Sequence, residues 1–251
     1  MKRDDIIERL KGVATAEKRE VQLRFFKTGE GEYGYGDNFL GVMVPQVRLI
    51  VKECVNHIDL TEIESLLHSE YHEARLTALL LLVKMYEDSM KFSIGRGRPR
   101  PYTQSYSPEC LREKIFNIYI SNTRYINNWD LVDLSTPNIV GNHLYNGDCS
   151  LLYEFAKSNH LWKQRIAVVS TLTFIRKGEF THTYALAKLF MDTRHDLIQK
   201  AVGWMLREAG KRDATQLRNF LNEYKNIMPR TMLRYAIEKF SIEERKEFMG
   251  R

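Results

Sequence analysis

Trp162-Lys-Gln-Arg165-Ile-Ala167-Val-Val-Ser-Thr-Leu-Thr-Phe-Ile175 is the stretch on which the fold turns. Its apolar side chains recur three and four positions apart, at Trp162, Ile166, Val169 and Leu172, which is the period of a helix face and not the alternation of a strand. The same period returns in residues 72–86, 111–120, 197–206 and 231–240, and strand-like alternation is almost absent. With 6 prolines and 14 glycines in 251 residues, chain breakers cluster instead of interrupting every few residues. Helix starts are marked by Asp59 or Thr61 ahead of Glu62-Ile63-Glu64, by Ser241 ahead of Glu243-Glu244, and by Pro45 ahead of residues 46–55. The pattern predicts an all-α chain.

Several of these segments share a phrase, a basic residue followed closely by alanine and an apolar stripe. It occurs at Arg75 with Ala78, Arg165 with Ala167, Lys200 with Ala201 and Arg234 with Ala236. The last three basic residues stand 35 and 34 residues apart, about the length of one helix pair with its turns, as in HEAT-like arrays. Arg75 to Arg165 is 90 residues, two such repeats plus a surplus that falls in residues 93–107, rich in Gly, Pro, Arg and Tyr. The expectation is one domain over residues 1–251: a curved α-solenoid of roughly six or seven antiparallel HEAT-like helix pairs sharing a continuous core, with an inserted basic loop at about 93–107. Arg165, Lys200 and Arg234 share one phase of the repeat and are expected on one face, with Trp129, Asp133 and Trp204 in the same layer.

The charge is +6 overall, from 38 basic and 32 acidic residues, but it is unevenly spread. Residues 1–150 hold 19 basic and 21 acidic side chains, whereas residues 151–251 hold 19 and 11. A basic half on a chain with 43% hydrophobic residues suggests a polyanionic partner. The longest apolar runs, such as residues 79–83, fall far short of the ~20 residues a bilayer requires, and the N-terminus lacks a secretory signal. Three scattered cysteines form no CxxC pair, which fits a reducing cytoplasm. There is no HExxH, Walker loop, GxGxxG or Ser/His/Asp arrangement, so metalloprotease, nucleotide hydrolase and dehydrogenase chemistries fall away.

In Asn127-Asn128-Trp129-Asp130-Leu131-Val132-Asp133 the spacing places Trp129 and Asp133 on one helical face. Aspartate is a poor residue for a helix interior, so Asp133 there calls for a reason. Packing is the plain alternative, with Asp130 as a helix cap, Asp133 solvated and Trp129 in the core.

Four segments together resemble the AlkD-type DNA alkylation repair family of HEAT-like DNA glycosylases. They are Phe25-Phe26-Lys27-Thr28-Gly29-Glu30-Gly31-Glu32-Tyr33-Gly34 running on to Phe39-Leu40-Gly41-Val42-Met43-Val44-Pro45, then Trp129 to Asp133, then Leu161-Trp162-Lys163-Gln164-Arg165, then Ile198-Gln199-Lys200-Ala201-Val202-Gly203-Trp204-Met205-Leu206-Arg207-Glu208. The resemblance implies that Trp129 and Trp204 are the paired tryptophans that contact the lesion's deoxyribose. It makes Asp133 the catalytic aspartate and Arg165 an arginine that holds the backbone beside it, with Phe25 or Phe26 near an N-terminal aromatic that approaches DNA. The implied reaction is hydrolysis of the N-glycosidic bond of cationic N3- or N7-alkylated purines, without strand cleavage, cofactor or metal. The substrate would be double-stranded DNA, met by a monomer in the bacterial cytosol or nucleoid.

The chemistry agrees with those roles. A cationic alkylpurine needs no general acid, so what remains is to stabilise an oxocarbenium-like sugar and position water, as a carboxylate does in glycoside hydrolysis. Indole faces attract cationic or polarised groups by ~0.5–2 kcal/mol each. Lys163, Arg165, Lys200, Arg207 and Arg234 are the candidate DNA contacts in the helices. Gly95-Arg96-Gly97-Arg98-Pro99-Arg100-Pro101 adds Arg96, Arg98 and Arg100 in a pattern suited to a narrow minor groove. Two other readings share the fold: a non-catalytic binder of unusual or branched DNA, and a helical-repeat protein scaffold.

Overall fold

A computed structural model describes residues 1–145 and 147–250. Among these residues all regular elements are helical, as the periodicity predicts, and an isolated parallel bridge joins Asn38 to Tyr71. No described helix is long and apolar enough to cross a membrane. The chain divides into two compact units, Met1–Ile139 and Val140–Arg251.

The first unit holds α1 (Arg3–Val13), α2 (Ala16–Phe25), α3 (Val44–Cys54), α4 (Leu60–Leu67), α5 (His72–Ser93), α6 (Pro101–Ser105), α7 (Pro108–Ser121) and α8 (Trp129–Thr136). Its spine is α5, against which α1, α3, α4, α6, α7 and α8 all pack. A helix surrounded in this way is apolar all round instead of on one stripe, and Ala78, Leu79, Leu81, Leu82 and Met85 are wholly buried. The expected starts are present: Asp59 accepts from the Glu62 amide at 2.9 Å, and Pro45 lies in the first turn of α3. Residues 93–107 differ from a simple loop. Ser93 ends α5, residues 94–100 are irregular, and Pro101 with the Arg100 backbone starts the short helix α6.

The second unit holds α9 (Asn142–Leu144), α10 (Ser150–Lys157), α11 (Leu161–Arg176), α12 (Thr181–Leu189), α13 (Asp196–Gly210), α14 (Ala214–Tyr224), α15 (Arg230–Ala236) and α16 (Ile242–Phe248). Short turns make successive helices antiparallel, and α11, α13 and α15 pack side by side. Arg165, Lys200 and Arg234, spaced 35 and 34 residues apart, lie one on each of those three helices. Helices α13 and α15 approach tightly at Gly203, where a Cβ would stand 2.5 Å from both the Met232 carbonyl oxygen and the Tyr235 Cβ. Only glycine lets the two helices come together there.

Candidate functional site

In the first unit the site is built around the start of α8. Asn128 caps the helix, its Oδ1 accepting from the Trp129 amide at 2.9 Å, so the capping role falls to Asn128 and not to Asp130. Asp130 is buried instead. Trp129 and Asp133 follow one helical turn apart on the same side of α8, both half-buried. A different side of the helix faces α7, where the buried Tyr119 hydroxyl meets Ser135 Oγ at 3.0 Å and Thr136 Oγ1 at 2.6 Å.

The Trp129 indole rests on the loop that follows α2. It stacks on Phe26 with ring centres 5.3 Å apart and planes 22° apart, and meets Phe25 edge-on at 5.7 Å. Its Nε1–H donates to the Tyr33 hydroxyl at 3.2 Å. Phe26 is buried while Phe25 is 62% exposed, so of the two aromatics it is Phe25 that is open to solvent. The loop turns back on itself at Gly34, where any Cβ would stand 2.3 Å from the Phe26 carbonyl oxygen. This glycine- and glutamate-rich segment is therefore a shaped support and not a phosphate cradle: Glu32 folds over to accept from the Gly29 amide at 3.0 Å.

A buried polar cluster, which residue patterns did not single out, anchors that support. Glu73 accepts three consecutive loop amides, from Leu40 at 2.9 Å, Gly41 at 2.8 Å and Val42 at 3.0 Å. His72 lies between two aspartates, Nδ1 2.8 Å from Asp37 and Nε2 2.9 Å from Asp130. The Arg75 guanidinium also bonds Asp37. Burial alone would raise the Asp37 carboxyl, but hydrogen bonds and charge from His72 and Arg75 outweigh it and hold the group below the usual carboxylate range. The signal in the sequence was His72-Glu73-Ala74-Arg75, three ionisable residues at the head of a helix otherwise too apolar to carry them on a solvated face.

The arginines of the first unit that the sequence offers as DNA contacts are on the segment after α5. Arg96 and Arg98 are exposed and Arg100 is half-buried. The segment is tied down at both ends. The Arg96 amide bonds the Lys91 carbonyl at 2.9 Å, and the Tyr102 hydroxyl donates to Asp88 at 2.7 Å. Asp88 also takes Lys84 at 2.5 Å and lies 3.9 Å from Arg100 Nε.

In the second unit the shared phrase carries three different environments. Arg165 is 5% exposed, and its Nη1 donates to the Leu197 carbonyl oxygen in the first turn of α13 at 2.6 Å. Lys200 is half-buried and pairs with Asp196 one turn earlier at 2.5 Å, while Arg234 is exposed. Lys163 sits over the Phe155 ring at 5.2 Å, and Arg207 pairs with Glu238. Trp204 is half-buried and lines a cleft of about 200 Å³ with Leu172, Ile175, Arg176, Glu208 and Arg212. Trp162, the third tryptophan, is a core residue. His195 caps α13, its Nδ1 accepting from the Leu197 amide at 3.3 Å. Among the described residues no three His, Cys, Asp or Glu side chains gather as a metal-ligating group.

Against known proteins, a family model described as DNA alkylation repair enzyme matches residues 6–240. Among solved structures, one described as a predicted DNA alkylation repair enzyme from Enterococcus faecalis aligns with a TM-score of 0.67 at 17% identity, covering 91% of this chain and 97% of its own. Likeness at that identity speaks for the fold alone. A search of curated proteins gives no match. Because the family model spans nearly the whole length, the role of the protein is in the repair of alkylated DNA, and the chain belongs to the DNA alkylation repair enzyme family.

Proposed function

We propose that the protein is a monofunctional DNA glycosylase that hydrolyses the N-glycosidic bond of cationic N3- or N7-alkylated purines in double-stranded DNA, acting as a monomer in the cytoplasm. The observation that carries this reading is Trp129 with Asp133 on one side of α8, above an aromatic support that ends in the exposed ring of Phe25. In the proposed reaction the C1′–N bond breaks, and its electron pair neutralises the purine's positive charge. Water then adds to C1′ and loses a proton to solvent or to Asp133. The carboxylate stabilises the oxocarbenium-like sugar and orients the water, and the indole face of Trp129 stabilises the same positive charge. Trp204 is assigned the role of second indole and Arg165 that of the arginine holding the backbone. Lys163, Lys200, Arg207 and Arg234 would neutralise phosphates.

The test is release of free base from duplex DNA containing 7-methylguanine, by wild type and by Asp133→Asn. The expected result is release by the wild type and a drop of at least about 100-fold in the variant, the scale of a missing transition-state charge partner. Equal release from both, at the rate of spontaneous depurination, removes the catalytic assignment.

The exposed arginines at 96 and 98 favour a second reading, a non-catalytic binder of branched or otherwise unusual DNA. Replacing Arg96, Arg98 and Arg100 together by glutamine should weaken duplex binding and flatten its salt dependence, the slope falling by about one for every phosphate no longer neutralised. Tight binding to a four-way junction with no base release from any lesion would favour this second reading over the first.

A further inference from the structure

Beneath Trp129 lies a cluster of charges for which the proposed chemistry has no use. His72, the first residue of α5, is 1% exposed, and each ring nitrogen faces a carboxylate oxygen, Asp37 Oδ2 at 2.8 Å and Asp130 Oδ2 at 2.9 Å. A ring that donates from both nitrogens to the two carboxyl groups is an imidazolium, the form that matches an acceptor oxygen on either side. Asp37 is kept ionised by Arg75 and accepts from Asn128 Nδ2 at 3.3 Å. The cluster sets two basic groups, His72 and Arg75, against two acidic ones, Asp37 and Asp130. Glu73 faces away toward the loop amides. The second oxygen of Asp130, Oδ1, is buried with no hydrogen-bond partner among the described residues, so His72 is the group that compensates this carboxylate.

The two aspartates belong to the two segments that meet at Trp129. Asp37 is part of the aromatic loop between α2 and α3, and Asp130 stands in the first turn of α8, next to Trp129 and three residues before Asp133. The same imidazole packs into the aromatic support. Its ring centre is 4.4 Å from that of Phe39 and 5.1 Å from that of Phe26, these two being 4.9 Å apart, so the three rings pack as a triangle, and Phe26 in turn lies under Trp129. A charged ring packed against two phenyl rings adds cation–π attraction to its contacts with the two aspartates.

We propose that His72 is a positioning residue for excision: clamped as an imidazolium between Asp37 and Asp130, it fixes the first turn of α8 to the aromatic loop and so holds Trp129 and Asp133 in working geometry. Its catalytic consequence rests on the glycosylase reading; the clamp itself does not. Burial alone would push the imidazole pKa down, but the Asp130 charge and hydrogen bonds to both aspartates overcome this and raise it to about 9.

The test uses the full-length protein with 15N-labelled tryptophan and histidine, the indole signals being assigned with Trp129→Phe, Trp162→Phe and Trp204→Phe. In the wild type at neutral pH both His72 ring nitrogens should carry protons; a ring with one proton overturns the clamp. In His72→Gln, and in the shape-conserving Asp130→Asn, the Trp129 indole resonance should shift or broaden while those of Trp162 and Trp204 stay in place. A Trp129 signal unmoved in either folded variant also overturns it. Single-turnover release of 7-methylguanine should slow about 10- to 100-fold, as expected for a misplaced catalytic group, with affinity for undamaged duplex unchanged. Release at the wild-type rate removes the positioning role. A wild type that releases no base sinks the glycosylase reading instead, and the ring-nitrogen and indole measurements still decide the clamp.

Discussion

Trp129 on α8 and Trp204 on α13 are both half-buried indoles, yet they are held by opposite means. Around Trp129 the polar residues are interior: Asn128 is fully buried, and Asp130, His72, Asp37 and Glu73 are nearly so. Around Trp204 shape does the holding, because Gly203 lets α15 lie against the helix, and the charges stay at the surface as Lys200–Asp196, Arg207–Glu238 and Lys211–Glu208 pairs. The contrast follows from what each tryptophan rests on. The support of Trp129 is a loop with no regular backbone pairing of its own, and its amides need buried acceptors. The neighbours of Trp204 are helices whose backbones are already satisfied, so side-chain charge is left over for solvent or for a partner.

The sharpest way to break this contrast is at Glu73. Its carboxylate serves three loop amides, and Glu73→Ala would leave them buried without acceptors. The expected cost is roughly 3–5 kcal/mol of unfolding free energy, measured by urea denaturation. Glu73→Gln should lose less, because the amide oxygen still accepts. If Glu73→Ala unfolds within about 1 kcal/mol of the wild type, the loop does not depend on this acceptor, and the two regions are less different than the hydrogen bonds indicate.

The second effect depends on pH and has a definite sign. His72 ionises near pH 6.5 in the unfolded chain and at about 9 when folded, so its charge stabilises the fold fully below pH 6.5 and the contribution is lost as pH rises through about 9. The wild type should therefore lose on the order of 3 kcal/mol relative to His72→Gln between those limits. Asp37, whose carboxyl is held low, acts in the other direction. Its contribution is present above the ordinary carboxylate range and is lost as acid protonates it. Parallel unfolding curves for wild type and His72→Gln across pH 6 to 10 would mean the imidazole is not charged.

Much of the second unit is legible in sequence and much of the first is not, and the physical reason is the same contrast. The 34- and 35-residue spacing of Arg165, Lys200 and Arg234 reports helix stacking, which is local and periodic, and the structure puts those residues on α11, α13 and α15. Spacing carries no information on depth, however, so it could not tell the buried Arg165 from the exposed Arg234. The pairing of Trp129 with Asp133 is likewise an i, i+4 relation within one helix. The support under Trp129 joins Phe26, Asp37, His72 and Asp130, residues up to about a hundred positions apart with no shared period. A His-Glu-x-Arg cluster directly ahead of a long apolar run was the available signal, and it marks burial of charge without naming the partners.

Gly203 probes the other side of the comparison. Gly203→Ala would place a methyl 2.5 Å from the Met232 carbonyl oxygen and from Tyr235 Cβ, so α13 and α15 would have to part. Overpacking of this kind costs about 1–3 kcal/mol. The displacement should be felt next door at Trp204, read as a shift of its fluorescence maximum in a protein where Trp129 and Trp162 are replaced by Phe. No change in either stability or fluorescence would mean that the close approach is not what positions this indole.

The smallest effect on stability is expected at Arg207 and Glu238, and there the function should respond more than the fold. The pair is partly exposed, so its coupling in a double-mutant cycle should not exceed about 1 kcal/mol. If Arg207 contacts DNA, Glu238 competes with phosphate for the same guanidinium. Glu238→Gln should then tighten binding to undamaged duplex at low salt, and Arg207→Gln should weaken it and lower the salt slope by about one. In the double variant the gain from Glu238→Gln should vanish, because a charge freed from its partner matters only while the arginine is there to use it. Additive effects of the two substitutions on DNA binding would instead mean that Glu238 acts through long-range charge alone and that Arg207 is a surface pair with no DNA contact.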